Sequence, residues 1–327
     1  MLYTVQVYRD EMIESQHLAH VSIITDPNSY HNFKNSNLTT FIRSAAKPFQ
    51  VVPYLKQAEK KSIKTSLEQL AIFCASHSGE EIHTNEVKKA LINNNIDKSY
   101  LKCGIHSPFD EITAKELTYQ HKEPNEFNNN CSGKHSAALS AAKLSNYSLN
   151  NYLDFNSDIQ KDIYETLLSY TGLNYIKRGI DGCGFPVFYL PLTVMADLYY
   201  QLAIQKDQYL QHIFTAMTAH PYLVAGNGRI DTELMQASHG NILVKCGAEG
   251  ILCLALKQER IGIALKILDG STRAYGVLCH KILSDLGVMN DSIHKCLNQN
   301  KYQKILNHAN VLVGHLFCES QNKLLID

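Results

Sequence analysis

The chain has 327 residues, 45% of them hydrophobic and 19% charged, enough to bury one large core or two smaller ones. Lysine plus arginine balance aspartate plus glutamate at 31 each and no basic run stands out, which excludes a field that would draw in nucleic acid or an anionic membrane and favours a small ligand. No apolar run reaches membrane-spanning length, and residues 1–9 lack the charged start and apolar block of a signal peptide, so a cytoplasmic protein is expected.

Two alternating runs, residues 3–8 and 18–25, are joined by a polar turn near Asp10-Glu11 and predict a β-hairpin, so the chain starts in a sheet. Helical patterns follow. Thr65 with Glu68 makes a capping box ahead of Leu67, Leu70, Ala71 and Cys74; Ser157 with Gln160 makes another ahead of Ile159, Ile163 and Leu167, with Gly172 as a stop signal. A helix over residues 133–144 carries Ala137, Ala138, Ala141 and Ala142, small enough for close packing. Strands return at residues 241–246, 250–256 and 260–268, apolar runs broken by Gly247-Ala248-Glu249 and Lys257-Gln258-Glu259, which predict an antiparallel meander; a last helix follows at 272–286.

Strands at both ends around a helical middle predict an α+β fold: an antiparallel sheet of about five strands with flanking helices and a helical section inserted in the middle. That section falls at residues 60–235 of a single domain, 1–327, and the asparagine-rich patches at 93–95 and 128–130 are turns within it.

Chemistry concentrates where glycine accompanies reactive side chains. Ser44 and Lys47 form an S-x-x-K pair behind Arg43, a hydroxyl with an amine three positions on that can take its proton. Four further runs resemble parts of the same site: Ala75-Ser76-His77-Ser78-Gly79-Glu80, Asn130-Cys131-Ser132-Gly133-Lys134-His135, Gly179-Ile180-Asp181-Gly182-Cys183-Gly184, and Val244-Lys245-Cys246-Gly247-Ala248-Glu249-Gly250. Pro48 disfavours helical backbone angles at Lys47, which places the pair on a turn at a helix start. Of the nine cysteines, Cys74, Cys253, Cys279 and Cys318 lie in apolar segments as small hydrophobes, whereas Cys131 and Cys183 sit in glycine turns suited to a thiolate or a metal. Arg43 offers a fork for a carboxylate or a surface ion pair, Asp181 a partner for an ammonium or an Asx turn, and His135 a group that orients a neighbour or packs in the core. Arg229 and Asp231 are read as a structural pair, and His17, His106 and His308 show no ligand spacing.

Arg43-Ser44-x-x-Lys47-Pro48, Cys74-Ala75-Ser76-His77-Ser78-Gly79-Glu80, Asn130-Cys131-Ser132-Gly133-Lys134-His135, Asp181-Gly182-Cys183-Gly184-x-Pro186, Val224-Ala225-Gly226-x-Gly228-Arg229-x-Asp231-Thr232 and Lys245-x-Gly247-Ala248-Glu249-Gly250 together resemble the signature set of the asparaginase II family, the rhizobial-type L-asparaginases, over residues 5–286. The resemblance implies a fold similar to that of serine β-lactamases, penicillin-binding proteins and glutaminases. It implies L-asparagine as substrate and two Ser-Lys tandems, Ser44 with Lys47 and Ser76 with Lys245, with Ser44 favoured over Ser76 as the nucleophile. Arg43, His135, Asp181 and Gly247 would bind substrate, Cys131, Lys134 and Cys183 would hold zinc, and a homodimer is expected. Two rival readings share these motifs: a penicillin-recognising serine hydrolase or D-amino-acid peptidase, and a non-catalytic zinc or amino-acid binding protein.

Overall fold

The computed structural model describes residues 1–25 and 36–320. The strands are, in chain order, β1 (Leu2–Arg9), β2 (Met12–Ile24), β3 (Thr39–Phe41), β4 (Lys177–Ile180), β5 (Pro186–Pro191), β6 (Ile242–Gly247), β7 (Ile251–Leu256), β8 (Ile261–Ile267), β9 (Lys304–Leu306) and β10 (Leu312–Ser320). The chain divides into two compact units: one is Met1–Thr40, Leu190–Ile204 and Glu233–Asp327, the other Phe41–Tyr189 and Gln205–Thr232. Among the described residues, no helix is long and apolar enough to cross a membrane.

The first unit is built on a seven-stranded sheet in the order β6-β7-β8-β2-β1-β10-β9, antiparallel at every pairing. Its N-terminal hairpin turns at Asp10-Glu11, with Arg9 opposite Met12 and Asp10 in the left-handed region at φ 51°, which a short polar side chain tolerates. Tyr3, Val5 and Val7 face inward, and the residues between them are only half-buried. The second strand starts at Met12, six positions ahead of the expected Leu18; its first five residues are all exposed, so no burial alternation marks them. The β6-β7-β8 meander is buried along its whole length, and the Leu192–Ala203 helix packs on β8, β7 and β2. Seven strands replace the expected five: β10 pairs with β1 along Tyr3 to Arg9 and brings short β9 with it. The last long helix, Tyr275–Asp285, packs against β10 and β1.

The second unit is mainly helical, so the fold is α+β with its helical section in the middle of the chain. The helix Leu67–Phe73 is capped by Ser66, whose hydroxyl accepts the Gln69 N–H, one residue later than the expected Thr65; Thr65 instead bonds the Tyr54 hydroxyl at 3.0 Å. Ser157 caps Asp158–Thr171 and accepts from Gln160 N–H, and Gly172 ends that helix at φ 66°. The Ser132–Leu144 helix is buried from Ser132 through Ala142. Gly133 permits this: a Cβ there would lie 1.9 Å from the Ile72 carbonyl oxygen, so the helix start rides directly on the backbone of Leu67–Phe73. Strands β4 and β5 pair from Lys177↔Tyr189 to Ile180↔Pro186 and present residues 181–185 as a hairpin tip.

Candidate active site

The backbone of Arg43 is left-handed at φ 51°, a conformation that costs a non-glycine residue about 1–3 kcal/mol and concentrates at functional sites. Ile42 N–H donates to Phe188 O at 3.0 Å and fixes the chain just ahead of it to β5. Arg43–Ala46 then form a 3₁₀ turn that runs into the short helix Lys47–Gln50. Lys47 is helical at φ −54° and ψ −41° in spite of Pro48, and its N–H donates to the Ser44 carbonyl. Proline is tolerated there because a first-turn N–H needs no partner inside the helix. The pair thus spans the junction of a 3₁₀ turn and a helix.

The Lys47 amine is fully buried. It donates to Ala75 O at 2.6 Å and Asn130 O at 3.5 Å, and lies 2.9 Å from Ser76 Oγ. One side chain therefore joins its own turn to two of the glycine-containing runs. Ser44 is half-buried, whereas Ser76 is only 4% exposed.

The Ser76–Gly79 segment is held from several sides. Ser76 N–H donates to Val224 O at 2.9 Å and Ser78 Oγ to Ala225 O at 2.6 Å. Gly79 N–H donates to His77 Nδ1 at 3.1 Å, so the neutral ring carries its proton on Nε2 and gives it to Ser132 Oγ at 2.8 Å. Burial, aided by His83 and Lys47, holds His77 well below the usual imidazole range.

The β4–β5 hairpin tip brings Asp181 to Arg43. Arg43 Nη2 and Nε donate to Asp181 Oδ1 at 2.7 and 3.1 Å, and the adjacent Gly182 N–H donates to the same oxygen at 2.7 Å, so the carboxylate holds the hairpin tip and the arginine at once. Burial works against the Asp181 charge, yet Arg43 and Lys134 hold its carboxyl below the usual carboxylate value.

Cys131, Lys134 and Cys183 meet in the same unit. Cys131 stands at the N-terminus of the Ser132–Leu144 helix, its N–H held by Asn129 Oδ1 at 2.8 Å. Lys134 Nζ lies 3.3 Å from Cys183 Sγ and 4.3 Å from the centre of the Phe185 ring. The interaction between the two sulfurs pushes Cys131 well below the ordinary thiol value, while the same interaction and burial push Cys183 up. Burial opposes the Lys134 charge, but the two sulfurs and Asp181 raise its amine above the usual value. The donor set suits a thiophilic cation such as zinc on its sulfur side. Among the described residues no three His, Cys, Asp or Glu side chains gather for a metal, so Lys134 would have to serve as the third donor after losing its proton. Beside them His135 Nδ1 and the Tyr152 hydroxyl are hydrogen-bonded at 2.6 Å, and that hydroxyl accepts Lys102 N–H at 2.9 Å. Burial, then Lys134 and Lys47, keep that imidazole neutral.

Lys245 and Gly247 belong to β6 of the first unit. Lys245 is fully buried, opposite Cys253 on β7, and donates to Cys246 O at 2.9 Å; the Gly247 carbonyl accepts the Tyr275 hydroxyl at 3.5 Å. Arg229 lies over the Phe109 ring at 5.8 Å. Sequence reasoning passed over His77 and read His106 as bland. His106 Nε2 accepts the Asn130 N–H at 3.1 Å, beside the carbonyl that receives Lys47. The signal for His77 was its place between two serines ahead of Gly79.

No curated protein matches the chain. Among solved structures, "Crystal structure of putative beta-lactamase from Bacteroides dorei DSM 17855" is similar over 91% of this chain and 94% of its own, with 11% sequence identity and a TM-score of 0.40. The profile of the family described as L-asparaginase II matches residues 5–318. With that match spanning nearly the whole length, the chain belongs to the L-asparaginase II family of amidohydrolases.

Proposed function

We propose that the protein hydrolyses L-asparagine to L-aspartate and ammonia through a serine activated by lysine. The observation that carries this reading is the buried Lys47 amine, 2.9 Å from Ser76 Oγ and one turn of chain beyond Ser44. Ser44 is the better nucleophile of the two because a substrate carbon can reach a half-buried hydroxyl more readily than one that is 4% exposed. Ser44 Oγ attacks the carboxamide carbon, and its proton passes to the amine network of Lys47. Returned to the amide nitrogen, that proton releases ammonia and leaves a β-aspartyl ester on Ser44; water then adds to the ester carbon and the serine regains its proton. Positioned general-base catalysis of this kind contributes about 10²–10⁴-fold.

The Arg43–Asp181 pair supplies one charge of each sign, matching the α-carboxylate and α-ammonium of an amino acid. Family resemblance adds Lys245 as the second lysine. Zinc, where bound, would be held by Cys131, Cys183 and Lys134 and would supply a fixed positive charge that orients the substrate's polar ends. Resemblance also supports a homodimer, which light scattering on the eluted protein tests.

Ammonia release from L-asparagine by purified protein is the deciding measurement. L-Glutamine at the same concentration is expected to react at least about 100-fold more slowly, because an added methylene moves the carboxamide off the nucleophile. Ser44→Ala and Lys47→Met are expected to lower kcat by about three orders of magnitude or more. Comparable turnover of glutamine, or hydrolysis of a chromogenic cephalosporin, would overturn the assignment.

A further inference from the structure

We propose that Glu80 and His83 position the serine segment Ser76–Ser78 by gripping Tyr222 at both ends, and that one proton shared between them completes the grip. Glu80 stands at the N-cap of the Glu81–Asn93 helix without capping it through its side chain, and His83 is fully buried in the first turn. The Tyr222 hydroxyl donates to Glu80 Oε2. His83 Nε2 lies 2.9 Å from the Tyr222 carbonyl oxygen, which can only accept, so that nitrogen carries a hydrogen. The His83 and Tyr222 rings stack with centres 5.7 Å apart and planes 5° from parallel.

What remains on each group is an acceptor. His83 Nδ1 and Glu80 Oε1 are buried, have no hydrogen-bond partner, and face each other at 3.7 Å. Two lone pairs at that separation are one proton short of a hydrogen bond, and leaving either buried atom unpaired costs about 1–3 kcal/mol. His83 is faced by Glu80 and Asp110, which favour its charge, and by the stacked His77. Burial outweighs the carboxylates and keeps the ring neutral near neutral pH, so the proton arrives on acidification, below the usual imidazole value.

The grip acts on Ser76 through a short run of chain. Tyr222 belongs to the single-turn helix Pro221–Val224, whose Val224 carbonyl takes the Ser76 N–H; the next carbonyl, Ala225, takes the Ser78 hydroxyl. Gly226 follows at φ 108°, and a Cβ on it would lie 2.6 Å from Ser78 Oγ and 2.9 Å from Glu80 Oε1. The carboxylate therefore rests against bare backbone. Glu80 and His83 are positioning residues, and their effect on turnover rests on the serine–lysine reading; their effect on the Ser76 backbone does not.

The experiment compares Glu80→Gln, Glu80→Ala and Tyr222→Phe by amide hydrogen exchange at Ser76, by imidazole NMR of His83 and by asparagine kinetics. Glutamine can accept the Tyr222 hydroxyl and offer His83 Nδ1 a permanent N–H, so E80Q is expected to keep Ser76 protection and kcat within about two-fold. E80A and Y222F, which lose one hydrogen bond, are expected to speed Ser76 exchange and lower kcat by about ten-fold at nearly constant KM. In the native protein, Ser76 protection corrected for intrinsic exchange should rise as pH falls through the His83 titration; in E80Q it should not change with pH. Unchanged exchange and kcat in Y222F, which removes only a hydroxyl and so tests the grip even if E80A does not fold, would overturn the proposal, as would E80Q behaving like E80A. If the native protein released no ammonia from asparagine, the functional reading would fail while Ser76 exchange still decided this one.

Discussion

Arg43 combines a left-handed backbone with a side chain fully engaged on Asp181, so the strain at the start of the Arg43–Ala46 turn is offset by a charge-assisted fork. Arg43→Ala is expected to cost about 2 kcal/mol at neutral pH, as for hydrogen bonds to a charged group. Because the folded-state value of Asp181 is depressed, its contribution is full above the ordinary carboxylate value of 3.8 and disappears as pH falls through the lower folded value. The native-minus-variant difference in Tm should therefore be widest near pH 7 and close in acid, which a pH series of thermal melts checks. For the sulfur site, protein purified without added metal is expected to hold close to one zinc per chain by elemental analysis and to lose it in Cys131→Ser and Cys183→Ser, with KM raised more than kcat is lowered. Ser44 and Lys47 could be singled out by their S-x-x-K spacing and Cys131 by its glycine-flanked run. That Lys47 reaches Ser76 was not legible, because the contact depends on groups distant in sequence and on burial.

Among the elements, those with local signals were legible: the β6-β7-β8 runs, the N-terminal turn, and the Ser157 cap with its Gly172 stop. The Thr65 assignment missed by one residue because two adjacent hydroxyls, Thr65 and Ser66, each have a Glu or Gln three positions on, Glu68 and Gln69. Ser66→Ala is expected to lower unfolding free energy by about 1 kcal/mol in denaturant titrations, the usual cost of losing an N-cap. Gly133→Ala should cost more, about 3 kcal/mol, since the added methyl meets backbone and the helix must lift from Leu67–Phe73. The helix carries Cys131 and Lys134 at its start, so the same variant should also weaken zinc retention. Strand β10 was missed although Gly314, Leu316 and Cys318 alternate inward, because glycine and cysteine are weak markers of a buried strand face.

At the scale of the molecule, the first and last described strands lie side by side: Tyr3 pairs with Ser320 and Arg9 with Gly314. Removing residues 299–320 would turn β1 from an interior strand into an edge, and such a truncation is expected to aggregate, as followed by light scattering, where the full chain stays dispersed. By contrast, most of the second unit is one stretch, Phe41–Tyr189, completed by Gln205–Thr232. On a ribosome, that stretch has all its partners available long before β10 emerges. The first hairpin must wait, with one side of β1 unpaired, until β10 has been made. Synthesis therefore leaves one side of β1 unpaired from its own translation until β10 has emerged, and a chaperone that shields residues 2–9 would act during that interval.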